Sequence, residues 1–198
     1  MVLVLIVICG YGQTSVNGTG NDPVQEATNE QLRQYADKSK VLIADMESGK
    51  VAMDSIPSVL ERNVKEVFKF TDEEFAKAEK EAAELSEITD KDGNVIKIKT
   101  DENASLEEEQ NQFDQLMNAA SDRMTPKFAG LMKEFSTNHD IALTIDQIVD
   151  DKEMANHEKL ALVNLKVSIA LVETNRKRVD KEIEELEQQL YEDGYFDE

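Results

Sequence analysis

The side chains that could bind a metal ion or transfer protons are few, and they centre on the two histidines, His139 and His157. Glu153 lies four residues before His157, so the two would share one face of a helix. A four-helix di-iron site requires Glu three residues before His, but that position is Met154. A zinc-protease helix requires a second histidine where Ala161 stands. We interpret these groups, with the neighbouring Glu158, as solvated polar residues, and predict no metal and no cofactor.

The sequence signatures of nucleophilic catalysis and phosphate binding are also missing. A hydrolase requires a nucleophile beside a positioned base, but the chain has no Gly-x-Ser-x-Gly element. Ser55 and Ser58 fall at the start of a predicted helix, and local structure accounts for them. No glycine-rich loop that could hold a phosphate occurs. We therefore predict that the protein is not an enzyme.

The acidic turn that begins at Asp90 could belong either to a β-hairpin or to a calcium-binding loop. Such a loop requires glycine at its sixth position and glutamate at its twelfth, but these positions are Val95 and Asp101. The residues after the turn instead alternate between apolar and charged side chains, which is typical of a β-strand. We predict a small β-hairpin inserted near residues 88–100.

The single cysteine, Cys9, closes an apolar run that covers residues 2–8. Seven residues span only about 10 Å as a helix, too short to cross a membrane but long enough for an export signal. A flexible polar stretch follows, so Cys9 resembles the lipid-bearing cysteine of bacterial lipoproteins, although Ile8 replaces the usual small residue. The alternatives are a signal cleaved after Gly12 and an ordinary buried strand with an inert cysteine.

The charge balance excludes further classes of protein. The chain has 198 residues and a net charge of −20, which would repel a nucleic-acid backbone. One cysteine cannot form an internal disulfide. The length fits one domain with some extra chain. We predict an export or lipid-anchor segment with a flexible tether in residues 1–22 and one acidic helical domain in residues 23–198.

The composition favours an all-α fold, because the whole chain contains only three prolines and eight glycines, the residues that most often interrupt helices. Apolar residues recur at helical spacing through most of the chain. We predict an antiparallel bundle of about five or six helices with the hairpin insertion and a long C-terminal helix. The predicted helical segments are residues 24–47, 55–68, 71–87, 105–124, 125–135, 141–149 and 151–191.

The last segment carries a heptad pattern, in which apolar residues alternate at steps of three and four. The positions of this pattern are Leu162, Leu165, Ile169, Val172, Arg176, Val179, Ile183, Leu186 and Leu190. The first half of the segment is also apolar elsewhere, which is typical of a helix inside a bundle. Beyond Glu173 only a narrow stripe remains. We predict a helix that begins buried and ends as one side of a two-helix seam.

These features predict an exported protein of the cell envelope, membrane-tethered through Cys9 or simply secreted, that binds a protein partner. An adaptor, a chaperone-like protein or an inhibitor would work in this way, and the acidic surface favours a basic or apolar partner. The predicted partner-binding residues are Arg176, Val179, Ile183, Leu186 and Leu190. The alternatives are a bundle that holds a small molecule or a metal ion, and self-assembly of the chain as a homodimer through its C-terminal helix.

Overall fold

The computed structural model describes residues 27–84, 87–89, 95–97, 111, 115 and 124–192. The predicted export segment with Cys9, the hairpin turn at 90–94 and most of the helix predicted over 105–124 lie outside the described residues. What is described is predominantly helical, which confirms the all-α class. The helices are α1 (Asn29–Glu47), a 3₁₀ turn (Met53–Ser55), α2 (Ile56–Phe68), α3 (Asp72–Glu84), α4 (Pro126–Asn138), α5 (Ile145–Asp150) and α6 (Asn156–Glu192).

Two short strands, β1 (Glu87–Thr89) and β2 (Val95–Lys97), pair antiparallel. Ile88 lies opposite Ile96 in this register. The hairpin insertion itself stays a prediction, because the residues that would join the strands lie outside the described part of the chain.

Several helix ends follow directly from local sequence. Thr71 and Glu74 form a capping box at the start of α3, in which the Thr71 amide donates to the Glu74 carboxylate at 2.8 Å. Thr125 caps α4, whose first residue is proline. Gly49 follows α1 with a φ of +69°, a left-handed conformation that glycine adopts without strain. The predicted ends at these three places are confirmed.

The prediction that Ile141 and Leu143 belong to the helix before α6 is wrong. That helix, α5, begins only at Ile145, because Thr144 is its N-cap and forms a capping box with Gln147. Ile141 is nevertheless fully buried, so its apolar character reflects the core and not a helical face.

The prediction that the last helix begins near residue 151 is also wrong, since α6 begins at Asn156. Asp151 holds the preceding loop, because its carboxylate accepts the Glu153 amide at 2.8 Å and lies 3.1 Å from the Lys127 ammonium. The Glu153 amide, more than Lys127, lowers the pKa of Asp151 below its usual 3.8, against the opposing effect of burial. The loop is therefore held by a charged carboxylate.

Asp151→Asn should lower the free energy of unfolding by about 1 kcal/mol at neutral pH. The native pKa of Asp151 is depressed, so its contribution is present above pH 3.8 and is lost as the pH falls through the native pKa. The stabilities of wild type and variant in urea denaturation should therefore converge as the pH falls through the native pKa. Asp54→Asn, at an exposed aspartate, is the control and should change little. A difference that persists in acid would contradict this assignment.

Helices α1 and α6 form the centre of the core and run in the same direction. The Asn156 side chain donates to the Ala27 carbonyl at 2.7 Å, and the Tyr35 hydroxyl donates to Asn164 at 2.5 Å. Both bonds join residues 129 apart in sequence, which fixes the parallel orientation of the pair. The predicted antiparallel arrangement does not apply to these two helices. Burial raises the pKa of Tyr35, so its phenol stays neutral.

The apolar core lies around the first half of α6 in two adjoining clusters. The larger cluster joins α1, the end of α2, α4, α5 and α6. The smaller cluster joins the end of α1 and the start of α2 to α6. The apolar residues with the least exposure in the two clusters together are Ile56, Ile141, Ile148, Leu162 and Val163. The last buried residue of α6 is Ala170. The packed part of α6 therefore ends near its middle.

Candidate functional site

The first histidine, His139, lies at a helix end and contributes to its structure. His139 ends α4 in a left-handed conformation with a φ of 55°, and its amide donates to the Phe135 carbonyl at 2.8 Å. Its ring meets the Phe135 ring edge-on, with centroids 6.4 Å apart. The neighbouring Asp140 accepts the Ile141 amide at 2.7 Å and the Lys166 ammonium at 3.2 Å. These groups are engaged in ending one helix and fixing a loop.

The second histidine and its neighbours do not converge either. His157 and Glu153 are exposed, as the sequence predicts. The interpretation of Glu158 as solvated is wrong, because only 3% of this residue is exposed. Within the described ranges, no group of three or more His, Cys, Asp or Glu side chains is arranged to hold a metal ion.

Glu158 joins the starts of two helices. One carboxylate oxygen accepts the Thr125 amide at 2.6 Å, and the other accepts the Thr125 hydroxyl at 2.9 Å and the Ala155 amide at 2.8 Å. Thr125 is the N-cap of α4, and Ala155 immediately precedes α6. The negative charge therefore lies at two helix N-termini, where helix dipoles and free amides stabilise an anion.

Lys159 is buried beside it, and its ammonium donates to the Val149 carbonyl at 3.2 Å, near the end of α5. A cation at a helix C-terminus complements the dipole there. The structural roles of Glu158 and Lys159 were not predicted from the sequence. The position of Glu158 in the first turn of α6 was the available signal, since glutamate is favoured there.

The second half of α6 has a different environment from the first. All residues of 175–192 are exposed, so this stretch of about 27 Å extends as a single helix beyond the core. We name the heptad positions from residue 172 to residue 190 the C-terminal stripe; they are Val172, Arg176, Val179, Ile183, Leu186 and Leu190. The exposed fractions of its apolar members are 64% for Val172, 38% for Val179, 48% for Ile183, 60% for Leu186 and 40% for Leu190. The structure places all five predicted partner-binding residues on this free helix.

The charged side chains of this helix pair within it at a spacing of four residues. Arg176 lies 3.8 Å from Asp180, and Arg178 lies 3.7 Å from Glu182. Lys181 lies 3.2 Å from Glu185. Each exposed pair stabilises the helix by only about 0.3–0.5 kcal/mol. Such pairs help to keep the helix formed where none of the described core residues packs against it.

Four of the six positions that border the stripe are acidic, and the other two, Asn175 and Gln189, are uncharged. In a heptad, the e and g positions border the apolar a and d positions on either side. With Arg176 at a, the three e positions are Glu173, Asp180 and Glu187, and one g position is Glu182. The remaining basic residues of 175–192 occupy outward heptad positions and are Lys177, Arg178 and Lys181. The stripe is therefore an apolar surface with acidic borders.

Comparison of the chain with protein-family models, curated proteins and solved structures finds no match in any of the three. Within the part of the chain that is described, no helix combines the length and the apolarity needed to cross a membrane. The candidate site therefore rests on the chain's own geometry.

Proposed function

We propose that this protein is a non-enzymatic helical protein that binds a protein partner through the C-terminal stripe. The observation that carries the proposal is the row of five apolar side chains, each at least 38% exposed, along a helix that nothing else in the described residues covers. Contiguous exposed apolar patches of this kind mark interaction sites in soluble proteins. An amphipathic helix presents such a row to a partner helix or groove.

The same helix does not need apolar residues at these positions for its own stability. Its intrahelical ion pairs and helix-favouring composition would support a wholly polar surface equally well. Exposed Val, Ile and Leu side chains instead leave apolar area in water, at a free energy of about 25 cal/mol for each Å² that a partner could bury. Burial against a partner would recover this free energy.

The packed first part of the chain then serves to present the stripe. We propose that residues 27–171 belong to a helical bundle with the hairpin as an insertion, and that the bundle fixes the base of the projecting helix. For the cellular location, we propose export, with Cys9 as a lipid anchor and the following polar residues as a tether; the apolar run and its single cysteine support this. Secretion after signal cleavage is the alternative.

Affinity capture from the source cells tests the partner-binding function. The wild-type chain should retain a protein that Leu186→Glu fails to retain, because a charge in the stripe cannot be buried without a cost. Val41→Glu is the matched control, because Val41 is 61% exposed on α1, close to the 60% of Leu186, but lies outside the stripe. Capture by all three chains, or by none, would contradict the proposed function.

A further inference from the structure

We infer that the partner of the C-terminal stripe is a helix with an apolar face bordered by lysine or arginine, and that the stripe does not pair with a second copy of this chain. This inference rests on the proposed function and specifies the chemistry of the partner. It follows from the border charges and from the composition of the rest of the chain.

The border charges disfavour an antiparallel pair of two copies. In that orientation, e positions face e positions and g positions face g positions. Because Glu173, Asp180 and Glu187 fill every e position beside the C-terminal stripe, each register that aligns the apolar residues of two stripes places carboxylates opposite carboxylates. A single Arg176 per chain, already 3.8 Å from its own Asp180, cannot neutralise all of them. Like charges facing each other across an interface are destabilising.

A parallel pair is disfavoured for a related reason. In that orientation, e positions face g positions, so Glu182 of each copy would face Glu187 of the other. The a positions would face each other, which sets Arg176 against Arg176 inside the seam. The helix thus carries features that oppose self-pairing in both orientations.

Two acidic segments of the chain that also carry apolar residues are poor occupants as well. Helix α3 contains six acidic residues and two lysines. Residues 98–123, which carry another apolar pattern, contain seven acidic residues and two basic ones. Both segments repeat the charge of the stripe's borders and do not complement it. A separate molecule with basic residues at its bordering positions satisfies the surface best.

Arg176 adds a second requirement on the partner. It occupies an a position, where a polar side chain fixes the register of a helical seam. A buried guanidinium requires a carboxylate or another acceptor opposite it. We therefore expect an acidic or amide side chain in the partner's apolar face, opposite Arg176.

Two synthetic helical peptides of about 28 residues, or four heptads, test the charge requirement. Both carry Leu at the a and d positions, with one Asn to meet Arg176. One peptide has Lys at every e and g position, and the other has Glu there. In calorimetric titration against the full chain, the Lys peptide should bind at least about tenfold more tightly, and added salt should narrow the difference.

Variants of the chain separate specific binding from general adhesion of a basic peptide to an acidic protein. Leu186→Glu, which makes the chain more acidic, should lose the Lys peptide, whereas Val41→Glu adds the same charge and should retain it. The double variant Asp180→Lys/Glu187→Lys leaves two glutamates and two lysines at the charged border positions and should abolish most of the preference for the Lys peptide. Retention of the Lys peptide by Leu186→Glu would show adhesion and overturn the inference.

The other possible results of these experiments also test the inference. Equal binding of both peptides, or binding of neither, would overturn the charge requirement, while the capture experiment would still judge the partner-binding function separately. A concentration-dependent dimer in sedimentation equilibrium that Leu186→Glu converts to monomer would identify a second copy as the occupant. Photo-cross-links from position 186 to residues 98–123 in the monomer would identify the chain's own segment. Either result would overturn the inference.

Discussion

Glu158→Ala is expected to lower the free energy of unfolding by about 3 kcal/mol. The variant leaves the Thr125 amide and hydroxyl and the Ala155 amide without their acceptor, in a site where Glu158 itself is 97% covered. Each buried donor that loses its partner costs about 1–3 kcal/mol, and partial access of water reduces the total. The starts of α4 and α6 would also lose a negative charge that complements both dipoles.

Urea denaturation followed by circular dichroism at neutral pH measures this effect. Glu158→Gln keeps one oxygen acceptor and should cost less than the alanine variant. Glu185→Ala is the matched control on the same helix, because its carboxylate is 64% exposed and pairs only with Lys181 among the contacts described. The control should change stability by no more than about 0.5 kcal/mol. An equally small effect of Glu158→Ala would show that the carboxylate does not link the two helices.

The contrast between Thr71 and Glu158 shows what sequence can predict here. The capping box at Thr71 involves residues three apart, so the spacing alone predicts it. The role of Glu158 depends on Thr125, which lies 33 residues earlier and is brought near only by packing. Local sequence places Glu158 near a helix start, where glutamate is favoured, but it carries no information on its burial or on the second helix.

The start of α5 shows how an apolar pattern can mislead. The apolar character of Ile141, Leu143 and Ile145 predicts a single helix, although their spacing of two does not distinguish a helix from a buried loop. Thr144 and Gln147 give the correct boundary, since their spacing of three forms a capping box. Capping residues, where present, locate a helix start more accurately than the apolar residues inside it.

The C-terminal stripe was the most predictable part of the candidate site. The narrowing of the apolar face after Glu173 is local information, and the exposure of Val179, Ile183 and Leu186 agrees with it. The identity of the surface that covers the stripe cannot be predicted from the local sequence of the stripe. That depends on a second surface, and the sequence of one chain constrains it only through complementary charge and shape.

The other large effect is expected at Leu162. Leu162→Ala should lower the free energy of unfolding by about 3 kcal/mol, within the range of 2–5 kcal/mol for a buried leucine. Leu162 has no exposed area and lies where α6 meets the main core. Leu186→Ala is the matched comparison, because it makes the same change 24 residues later on the same helix, where 60% of the residue is exposed. It should change stability by no more than about 0.5 kcal/mol.

Denaturation of both variants at two protein concentrations makes the comparison a test of the free stripe. If Leu186→Ala destabilised the isolated protein as much as Leu162→Ala, the stripe would be covered without a partner. A cost that grows with protein concentration would identify a second copy, because association stabilises the folded state by mass action. A cost independent of concentration would identify a segment of the same chain. A small cost at Leu186 at both concentrations leaves the stripe open in the isolated protein, so that its burial must come from another molecule.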